Sequence, residues 1–374
     1  MSKYLSWVEI DRSALISNLK TFRRLIGSRR KLLIPVKANA YGHGLVEVAK
    51  IAAKNGADFF GVNSIQEADI LRRNKITKPI LVMGYTMLKD LMLAAQLKTS
   101  LVVYNEQTIK ALGKLKKPIT VHVKLETGTN RQGILPEQLL PFIQLIQRYP
   151  NIKLEGLYTH FANIEDTTNH NYAFKQITIF KEAIANLKKS GITIPIKHTA
   201  CSAAAILFPK TYFDLIRPGI ATYGLWSSKE TIVSANNLRR RIILKPVLTW
   251  KSIIAQIKEI PSGCYIGYGC TDRTLRNTKI AVIPVGYWDG YDRGFQHTQV
   301  LIHGKRARVF GRVCMNMMMV DITEIPNINI EDEVVLLGKQ GREEITAEEL
   351  AANINTINYE IVTRINPTLP RIIV

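Results

Sequence analysis

Between residues 32 and 220 the sequence repeats one pattern eight times: a short apolar run, a polar or glycine residue, and an amphipathic helical stretch. The runs are continuous rather than alternating, which is typical of parallel strands buried on both faces. Eight strand–helix units predict an α/β fold of the (β/α)8 TIM-like barrel type. A doubly wound sheet would have fewer strands and a glycine fingerprint, and the chain has no GxGxxG motif. The predicted strands are 32–37, 58–63, 79–84, 100–104, 119–124, 154–160, 195–200 and 213–219.

Local signals mark helix boundaries within this repeat. Asn55-Gly56 is expected to end a helix just before the second apolar run, because glycine accepts the left-handed conformation of a helix end. Ser64 and Glu67 follow that run with the spacing of a capping box. These signals support the alternation of strands and helices.

Beyond residue 240 the apolar segments are β-branched, often alternate with polar residues, and are separated by Gly, Pro and Asp turns. This pattern predicts antiparallel sheet. Thr346 and Glu349 have capping-box spacing and predict one late helix. We therefore assign residues 1–239 to the barrel domain and residues 240–374 to a mainly β C-terminal domain.

The chain carries 51 Lys and Arg against 30 Asp and Glu, a formal net charge of +21. Such an excess suggests nucleic acid, an acidic membrane surface or an anionic ligand as a partner. The basic pairs are scattered rather than clustered with aromatic residues, which argues against specific nucleic-acid binding. A local anion site with a solvated basic surface is the prediction that remains.

Membrane, secreted and disulfide-stapled classes are disfavoured. The longest apolar stretches are far shorter than the roughly 18–20 residues of a membrane helix, and the N-terminus has no apolar signal region. We expect a cytoplasmic protein that binds neither membrane nor metal. The cysteines lie far apart and form no CxxC pair, which argues against a disulfide frame or a metal site; they are Cys201, Cys264, Cys270 and Cys314.

In such barrels the chemistry lies on the loops that follow the strands. The residues at these positions form a polar and cationic ring, which predicts an anionic, phosphorylated ligand. They are Lys37, Asn63, Gly84, Tyr104, Lys124 with Arg131, His160, Ser202, and Arg217 with Gly219.

Lys37 ends the first apolar run. A lysine that emerges from an apolar strand is partly desolvated, so its pKa falls and its free amine can form a Schiff base. A solvated lysine at a loop edge is the alternative. Gly42 and Gly44 follow closely and would allow the backbone to approach a ligand, although glycines also serve ordinary turns.

Ser202 precedes an alanine-rich segment and is predicted to be a helix N-cap. A hydroxyl at a helix N-terminus suits a phosphate, although simple capping needs no ligand. Gly219 and Ile220 would add backbone N–H groups at the neighbouring strand end, where barrels often bind phosphate.

Arg217 would point into the same mouth. Its guanidinium keeps its proton, so beside a ring nitrogen it would donate a hydrogen bond and never protonate that nitrogen. An ion pair with Asp214 or Glu155 is the structural alternative. His160 would orient Arg217 or would be an ordinary core histidine.

Nine segments along almost the whole chain form one ordered set of motifs. They are VKANAYGHG (36–44), KLETGTNRQG (124–133), LEGLYTHFAN (154–163), HTACSAAA (198–205), RPGIATYG (217–224), GYGCT (267–271), PVGYWDGYDR (284–293), GRVCMNM (311–317) and TINYEIVTR (356–364). In this order they resemble the bacterial alanine racemases, which are fold-type III enzymes that use pyridoxal 5'-phosphate. The resemblance implies an N-terminal barrel, a C-terminal β domain that the first residues join, and a homodimer with shared active sites. It also implies racemisation of alanine, which supplies D-alanine for peptidoglycan.

The resemblance implies two catalytic bases. Lys37 matches the lysine that binds the cofactor as a Schiff base and acts on the D-alanine face. Tyr268 matches the tyrosine base of the opposite face, which the partner subunit contributes. Racemisation needs two such bases, because a proton leaves one face of a planar intermediate and returns to the other.

The remaining matches concern the cofactor and the substrate. Arg217 matches the arginine at the pyridine nitrogen, with His160 behind it. Arg131 matches the residue near the cofactor's phenolic oxygen and the substrate carboxylate, and Lys124 the lysine that is carbamylated in some members and holds that arginine. The matches to phosphate and pocket contacts are Tyr41, Ser202, Gly219, Ile220 and Tyr359, and those to the substrate side are Met315 and Tyr287.

Two positions depart from the family pattern. Asn316 stands where some members have Asp, and Cys201 stands where Asn is common before the serine. Neither change removes a catalytic group. Because few residues set the pocket size, Tyr359 among them, a broad-specificity or serine racemase on the same scaffold remains the alternative.

Overall fold

Residues 3–374 are described by the computed structural model, and strands alternate with helices through the first part of the chain. The strands are β1 (Ser6–Ile10), β2 (Lys31–Pro35), β3 (Phe59–Val62), β4 (Ile80–Val82), β5 (Ser100–Val103), β6 (Ile119–Lys124), β7 (Ile152–Tyr158), β8 (Ile196–His198), β9 (Leu215–Ile216), β10 (Leu248–Ile253), β11 (Gln256–Ile260), β12 (Tyr265–Ile266), β13 (Asp272–Arg273), β14 (Thr278–Ile283), β15 (Gln299–Ile302), β16 (Lys305–Arg308), β17 (Met318–Asp321), β18 (Glu333–Gln340), β19 (Glu343–Ile345) and β20 (Arg371–Ile373). The helices are α1 (Arg12–Ile26), α2 (Lys37–Tyr41), α3 (Leu45–Lys54), α4 (Ile65–Arg73), α5 (Leu91–Gln96), α6 (Glu106–Lys114), α7 (Leu139–Gln147), α8 (Asn171–Lys189), α9 (Ser202–Leu207), α10 (Lys229–Asn237), α11 (Ala347–Asn353) and α12 (Asn358–Thr363).

The chain divides into two units. The barrel unit comprises Ala14–Ala40 and Val48–Lys245. The β unit comprises the segment that ends at Ser13, the short segment Tyr41–Glu47, and Pro246–Val374.

In the barrel unit, β2 to β9 form one parallel eight-stranded sheet in which β2 pairs with both β3 and β9. Two backbone hydrogen bonds join the flanks of β8 and β9: Asp214 N–H donates to Lys197 C=O at 3.0 Å, and Arg217 N–H to Ala200 C=O at 2.9 Å. All eight predicted runs contain a strand, and the predicted barrel is confirmed. Its interior is packed rather than hollow, with a buried cluster that includes Leu33, Phe59, Leu81, Val102, Tyr158, Ile196 and Leu215.

The predicted helix signals operate as expected in the barrel. The Ser64 hydroxyl accepts a hydrogen bond from Glu67 N–H, and the Glu67 carboxylate accepts one from Ser64 N–H, so the capping box of α4 is complete. After α3, Gly56 has a φ of +98°, which favours glycine at this helix end. The capping box therefore fixes the start of α4 directly after β3, and Gly56 allows the chain to turn from α3 into β3.

In the β unit, β1 pairs antiparallel with β10 and parallel with β20, at one end of a sheet that also contains β15, β16, β18 and β19. Strands β11, β14 and β17 form a second, antiparallel sheet, and β12 and β13 form a hairpin. The antiparallel sheet predicted beyond residue 240 is confirmed. Thr346 caps α11 by accepting a hydrogen bond from Glu349 N–H at 3.0 Å, whereas the Glu349 carboxylate pairs with Arg306.

Among residues 3–374, no helix combines the length and the apolar character that crossing a bilayer requires.

Candidate active site

The carboxyl ends of the barrel strands gather basic side chains. Lys37 follows β2, Lys124 ends β6, Arg131 lies on the loop after β6, and Arg217 follows β9. Lys124 is only 2% exposed and Arg217 4% exposed, so both cations are largely shielded from water. Within residues 3–374, none of these four side chains is ion-paired with a carboxylate. The barrel mouth, defined by these four residues, therefore gathers cations that have no direct carboxylate contact, and Glu67 and Glu126 act on Lys37 and Lys124 only through space.

This clustering changes the proton affinity of its members. Burial lowers the pKa of Lys37, and the charge of Arg131 lowers it further. Burial also lowers the pKa of Lys124 to about 8, and Arg131, Arg217 and Lys37 act in the same direction. Desolvation and the same cations hold the pKa of His160 well below its ordinary value. The imidazole of His160 is thus neutral, and both lysines lose their proton more readily than a solvated lysine does.

Lys37 opens a turn with unusual backbone geometry. Ala38, Asn39 and Ala40 all have left-handed conformations, with φ of 54°, 53° and 52°. Such a conformation costs roughly 1–2 kcal/mol per non-glycine residue. The Glu67 carboxylate accepts a 2.7 Å hydrogen bond from Ala38 N–H and so helps to hold the turn. Backbone strain of this kind is typical of functional sites, and the residue types of the turn did not indicate it.

A buried carboxylate shapes the loop that carries Arg131. Glu126 accepts hydrogen bonds from the N–H groups of Gly128 and Thr129, both at 2.6 Å, and from Arg131 N–H at 3.3 Å. Burial opposes the charged form, but the bonds from backbone N–H groups lower the pKa of Glu126 overall. The Arg131 side chain is exposed, and its backbone is held by this charged acceptor. Sequence reasoning missed Glu126.

The predicted N-cap role of Ser202 is wrong. Ser202 is the first residue of α9, and Cys201 occupies the N-cap position without a side-chain bond. The buried Ser202 hydroxyl instead accepts a hydrogen bond from Ala221 N–H at 3.3 Å. Ala221 belongs to the 3₁₀ turn that begins at Ile220, directly after Gly219. The Ser202 hydroxyl therefore lies at the Gly219–Ile220 turn, as predicted, but it does not cap α9.

Arg217 is oriented by a histidine other than the predicted one. Its guanidinium donates to His198 Nδ1 at 2.5 Å and to the carbonyl oxygens of Thr159 and Thr199 at 2.9 and 3.1 Å. The His160 ring is not among these hydrogen-bond partners, although the charge of Arg217 helps to lower its pKa. His198 ends β8 and Arg217 follows β9, so this bond joins residues at the ends of two neighbouring strands.

The ion pairs considered as the structural alternative for Arg217 do not form. The Asp214 carboxylate accepts from Lys197 N–H and pairs with Lys197 Nζ at 2.9 Å. The Glu155 carboxylate bonds His122 Nε2 at 3.1 Å. Among the described residues, Arg217 thus has no direct carboxylate partner.

In the β unit, Tyr41 and Tyr359 lie together, with ring centroids 6.1 Å apart. The next residue, Gly42, has a φ of +84°, and a Cβ there would lie 1.8 Å from the Val362 carbonyl oxygen. Only glycine fits this close approach of two segments. Its carbonyl accepts hydrogen bonds from the Arg371 guanidinium, which fixes the segment to the C-terminal part of the chain.

Tyr268, Tyr287 and Met315 line one cavity of about 950 Å³ in the β unit. Tyr268 lies between β12 and β13 and is 68% exposed, and Tyr287 and Met315 are 40% and 56% exposed. Gly267 before the tyrosine has a φ of +71°, and a Cβ there would lie 2.7 Å from the side-chain methyl of Met319. We call Tyr268, Tyr287 and Met315 the aromatic face.

The two departures from the family pattern differ in their surroundings. Asn316 is exposed and lines the same cavity as the aromatic face. The Cys201 thiol lies 3.8 Å from a Glu165 carboxylate oxygen, and burial raises the pKa of both groups, that of Glu165 to about 7. Cys201 is therefore a thiol rather than a thiolate.

The structure brings the predicted site residues into three groups. Members of the barrel group lie at the strand ends of the barrel unit, and the other two groups belong to the β unit. The barrel group contains Lys37, Lys124, Arg131, His160, Ser202, Arg217, Gly219 and Ile220; the second contains Tyr41 and Tyr359; the third contains Tyr268, Tyr287 and Met315.

Comparison with known proteins identifies the family. Residues 10–227 match the family model "Alanine racemase, N-terminal domain", and residues 247–373 match "Alanine racemase, C-terminal domain". The alanine racemase of Halothermothrix orenii is 42% identical over 371 residues, which cover 98% of this chain and 96% of that protein. The alanine racemase of Methanococcus maripaludis is 40% identical over 371 residues, or 98% of both chains. The crystal structure of the Bacillus anthracis alanine racemase with bound L-Ala-P superposes with a TM-score of 0.93 at 36% identity, covering all of this chain and 96% of that one. The chain belongs to the alanine racemase family of enzymes.

Proposed function

We propose that the protein interconverts L-alanine and D-alanine with pyridoxal 5'-phosphate, by proton abstraction with two bases, and so supplies D-alanine for peptidoglycan. One observation carries this proposal. Lys37, Lys124, Arg131 and Arg217 meet at the strand ends of one barrel without a carboxylate partner within residues 3–374, and burial lowers the pKa of Lys37. Charge of this kind is stabilised by an anionic ligand.

The donor set fits pyridoxal phosphate. A lysine with a lowered pKa suits an aldehyde, because the free amine is the form that attacks it. The Ser202 hydroxyl and the turn at Gly219–Ile220 offer hydrogen-bond donors for a phosphate, and Arg217 offers an N–H donor for a ring nitrogen. We assign cofactor binding to Lys37, Tyr41, Arg131, His160, Ser202, Arg217, Gly219, Ile220 and Tyr359.

When bound, pyridoxal phosphate supplies the electron sink that makes the substrate α-proton acidic. Lys37 Nζ then takes or returns that proton on the D-alanine face, and Tyr268 Oη does so on the opposite face. Arg131 would bind the substrate carboxylate, with Tyr287 and Met315 on the substrate side. Arg217 keeps its own proton at working pH and only donates a hydrogen bond, which limits side reactions such as transamination.

Lys124 would hold Arg131 as a carbamate. In carbamylation the free amine adds to CO₂ and releases a proton, and the lowered pKa of Lys124, about 8, makes the free amine accessible near neutral pH. The product would be an anion facing Arg131. Carbamylation would therefore remove the positive charge of Lys124 and give Arg131 a negatively charged partner.

We also propose a homodimer in which one copy supplies Lys37 and the other supplies Tyr268. The support is the exposure of the aromatic face, whose Tyr268 is 68% exposed at the tip of a hairpin. Exposed apolar and aromatic surface that lines a cavity is typical of an interaction site. A symmetric dimer would form two such composite sites.

The test uses the purified protein supplied with pyridoxal phosphate in D₂O. We expect each alanine isomer to be converted into the other, with deuterium appearing at the α-carbon of the product. Absence of conversion and of α-proton exchange would refute the proposal. Comparing kcat/KM for alanine, serine and lysine separates an alanine racemase from a broad-specificity or serine racemase.

A further inference from the structure

Arg217 poses an electrostatic problem that its direct contacts do not solve. The guanidinium is 4% exposed and bonds two carbonyl oxygens and one imidazole, all of them neutral acceptors. A buried cation without a negative partner is unfavourable by several kcal/mol. The compensating charge must therefore lie beyond the first contacts.

A line of hydrogen bonds leads from Arg217 to such a charge. His198 Nε2 lies 2.9 Å from His122 Nδ1, and His122 Nε2 lies 3.1 Å from Glu155 Oε2. Both imidazoles are fully buried, whereas the Glu155 side chain is 20% exposed. We call Arg217, His198, His122 and Glu155 the relay.

The backbone is built around the relay. In the pairing of β6 with β7, Val121 faces Leu154 and His122 faces Gly156, so Glu155 is the extra residue of a β-bulge. A bulge redirects a side chain, here toward the neighbouring strand. Gly156 makes room for the ring, because a Cβ there would lie 2.1 Å from His122 Nδ1.

The donors and acceptors of the relay allow one proton arrangement with both rings neutral. A guanidinium only donates, so His198 Nδ1 must accept, and the ring proton then sits on Nε2. His198 Nε2–H donates to His122 Nδ1, and His122 Nε2–H donates to Glu155. Burial lowers the pKa of both histidines, and the bond from His122 lowers that of Glu155, in agreement with neutral rings and a carboxylate.

The far end of the relay lies at the opposite end of the barrel from the mouth. Glu155 lines a cavity of about 610 Å³ together with Phe59, Ser100 and Thr120, which lie at the amino-terminal ends of their strands. Ser100 Oγ is 3.5 Å from Glu155 Oε2, and the exposed Lys153 lies 3.8 Å from the other oxygen. Arg72, Lys75 and Lys98 also line this cavity.

We propose that Glu155 is a positioning residue for the reaction: through His122 and His198 it fixes the orientation and compensates the charge of Arg217. The proposal rests on the function proposed above, in which Arg217 faces the cofactor ring nitrogen. Glu155 itself touches neither cofactor nor substrate.

The test exploits the cavity beside Glu155. In Glu155→Ala, we expect the affinity of the apoprotein for pyridoxal phosphate and kcat for alanine each to fall about ten- to hundredfold, with KM for alanine little changed. Sodium formate is expected to restore both, because a small carboxylate can enter the cavity and accept from His122, whereas formamide is not. Glu155→Gln keeps an acceptor without the charge and is expected to lie between the two. Glu182→Ala removes an exposed glutamate of α8 and serves as the control.

A second measurement does not depend on catalysis or on the variant folding. In wild-type apoprotein labelled with ¹⁵N-histidine, NMR should find His122 and His198 neutral with the proton on Nε2. The opposite tautomer at either ring would overturn the proposal, as would a Glu155→Ala protein that behaves like the control or ignores formate. The proposed function and the relay can fail separately. If the wild-type protein does not racemise alanine but shows these tautomers, and formate restores cofactor binding to Glu155→Ala, the proposed function is refuted and the relay is retained.

Discussion

The barrel mouth and the aromatic face present their functional groups in opposite ways. In the barrel mouth Lys124 and Arg217 are almost fully buried, and Glu126 and His198 hold the Arg131 loop and the Arg217 guanidinium in place. The residues of the aromatic face are mostly exposed, at the surface of a cavity. Buried charges are oriented by the fold itself, whereas exposed side chains acquire a fixed environment only against another surface. The groups of the first region are therefore fixed within one chain, whereas those of the second are presented to solvent.

The largest effect on activity is expected from a change in the barrel mouth, at Lys37. Lys37→Ala is expected to abolish racemisation, because the covalent link to the cofactor and one base are lost together. Borohydride reduction in the presence of pyridoxal phosphate, followed by peptide mapping, should find the label on Lys37 in wild-type protein and nowhere in the variant. Lys54→Ala, an exposed lysine of α3, is the control. Retained activity in Lys37→Ala would show that Lys37 is wrongly assigned.

The second prediction asks whether the aromatic face serves another copy of the chain. Tyr268→Phe should reduce racemisation by at least about a hundredfold, as expected for loss of one general base. Mixing it with inactive Lys37→Ala should restore activity, because a mixed dimer contains one site with both native residues. Statistical exchange predicts about a quarter of the wild-type activity in an equal mixture, if both sites of the dimer are composite. A mixture that stays inactive after subunit exchange would place both bases in one chain.

The sequence predicted backbone positions better than it predicted contacts. The eight barrel strands were identifiable because strands buried on both faces are continuously apolar, and strand ends then located Lys37, Lys124 and Arg217. Ser202 was misassigned as the N-cap, because a serine before a run of alanines fits the N-cap position and the first helical position equally well. The bond from His198 to Arg217 crosses between strands, and no local periodicity reports which of two nearby histidines faces an arginine.

The third prediction concerns the exposed member of the barrel mouth. Glu126→Gln keeps one acceptor oxygen but removes the charge that three backbone N–H groups share, so the loop of Arg131 should loosen. We expect KM for alanine to rise about tenfold, with a smaller effect on kcat. Glu137→Gln, an exposed glutamate on the same loop region, is the control. An unchanged KM would mean that Arg131 is positioned without Glu126.

The last prediction concerns stability rather than activity and tests the cost of burying Lys124. Its folded pKa of about 8 lies below the ordinary 10.5, so between these values the unfolded chain holds more protons and stability rises with pH. Below pH 8 Lys124 is protonated in both states, and the folded protein bears the full cost of burying its ammonium group. Lys124→Met should therefore stabilise the apoprotein at pH 7 by at most about 3 kcal/mol, and the gain should vanish as the pH approaches 10.5.

Urea unfolding of the apoprotein in CO₂-free buffer at several pH values measures this gain, with Lys188→Met of α8 as the exposed control. Adding ¹³C-bicarbonate should reduce the difference between wild type and Lys124→Met and produce a carbamate signal only in the wild type. A carbamate removes the buried cation and gives Arg131 a negative partner, so wild-type protein gains stability that the variant cannot. A pH-independent difference would show that the Lys124 ammonium is not destabilised in the barrel mouth. The contrast between buried charges here and exposed aromatic side chains in the β unit would then rest on Arg217 alone.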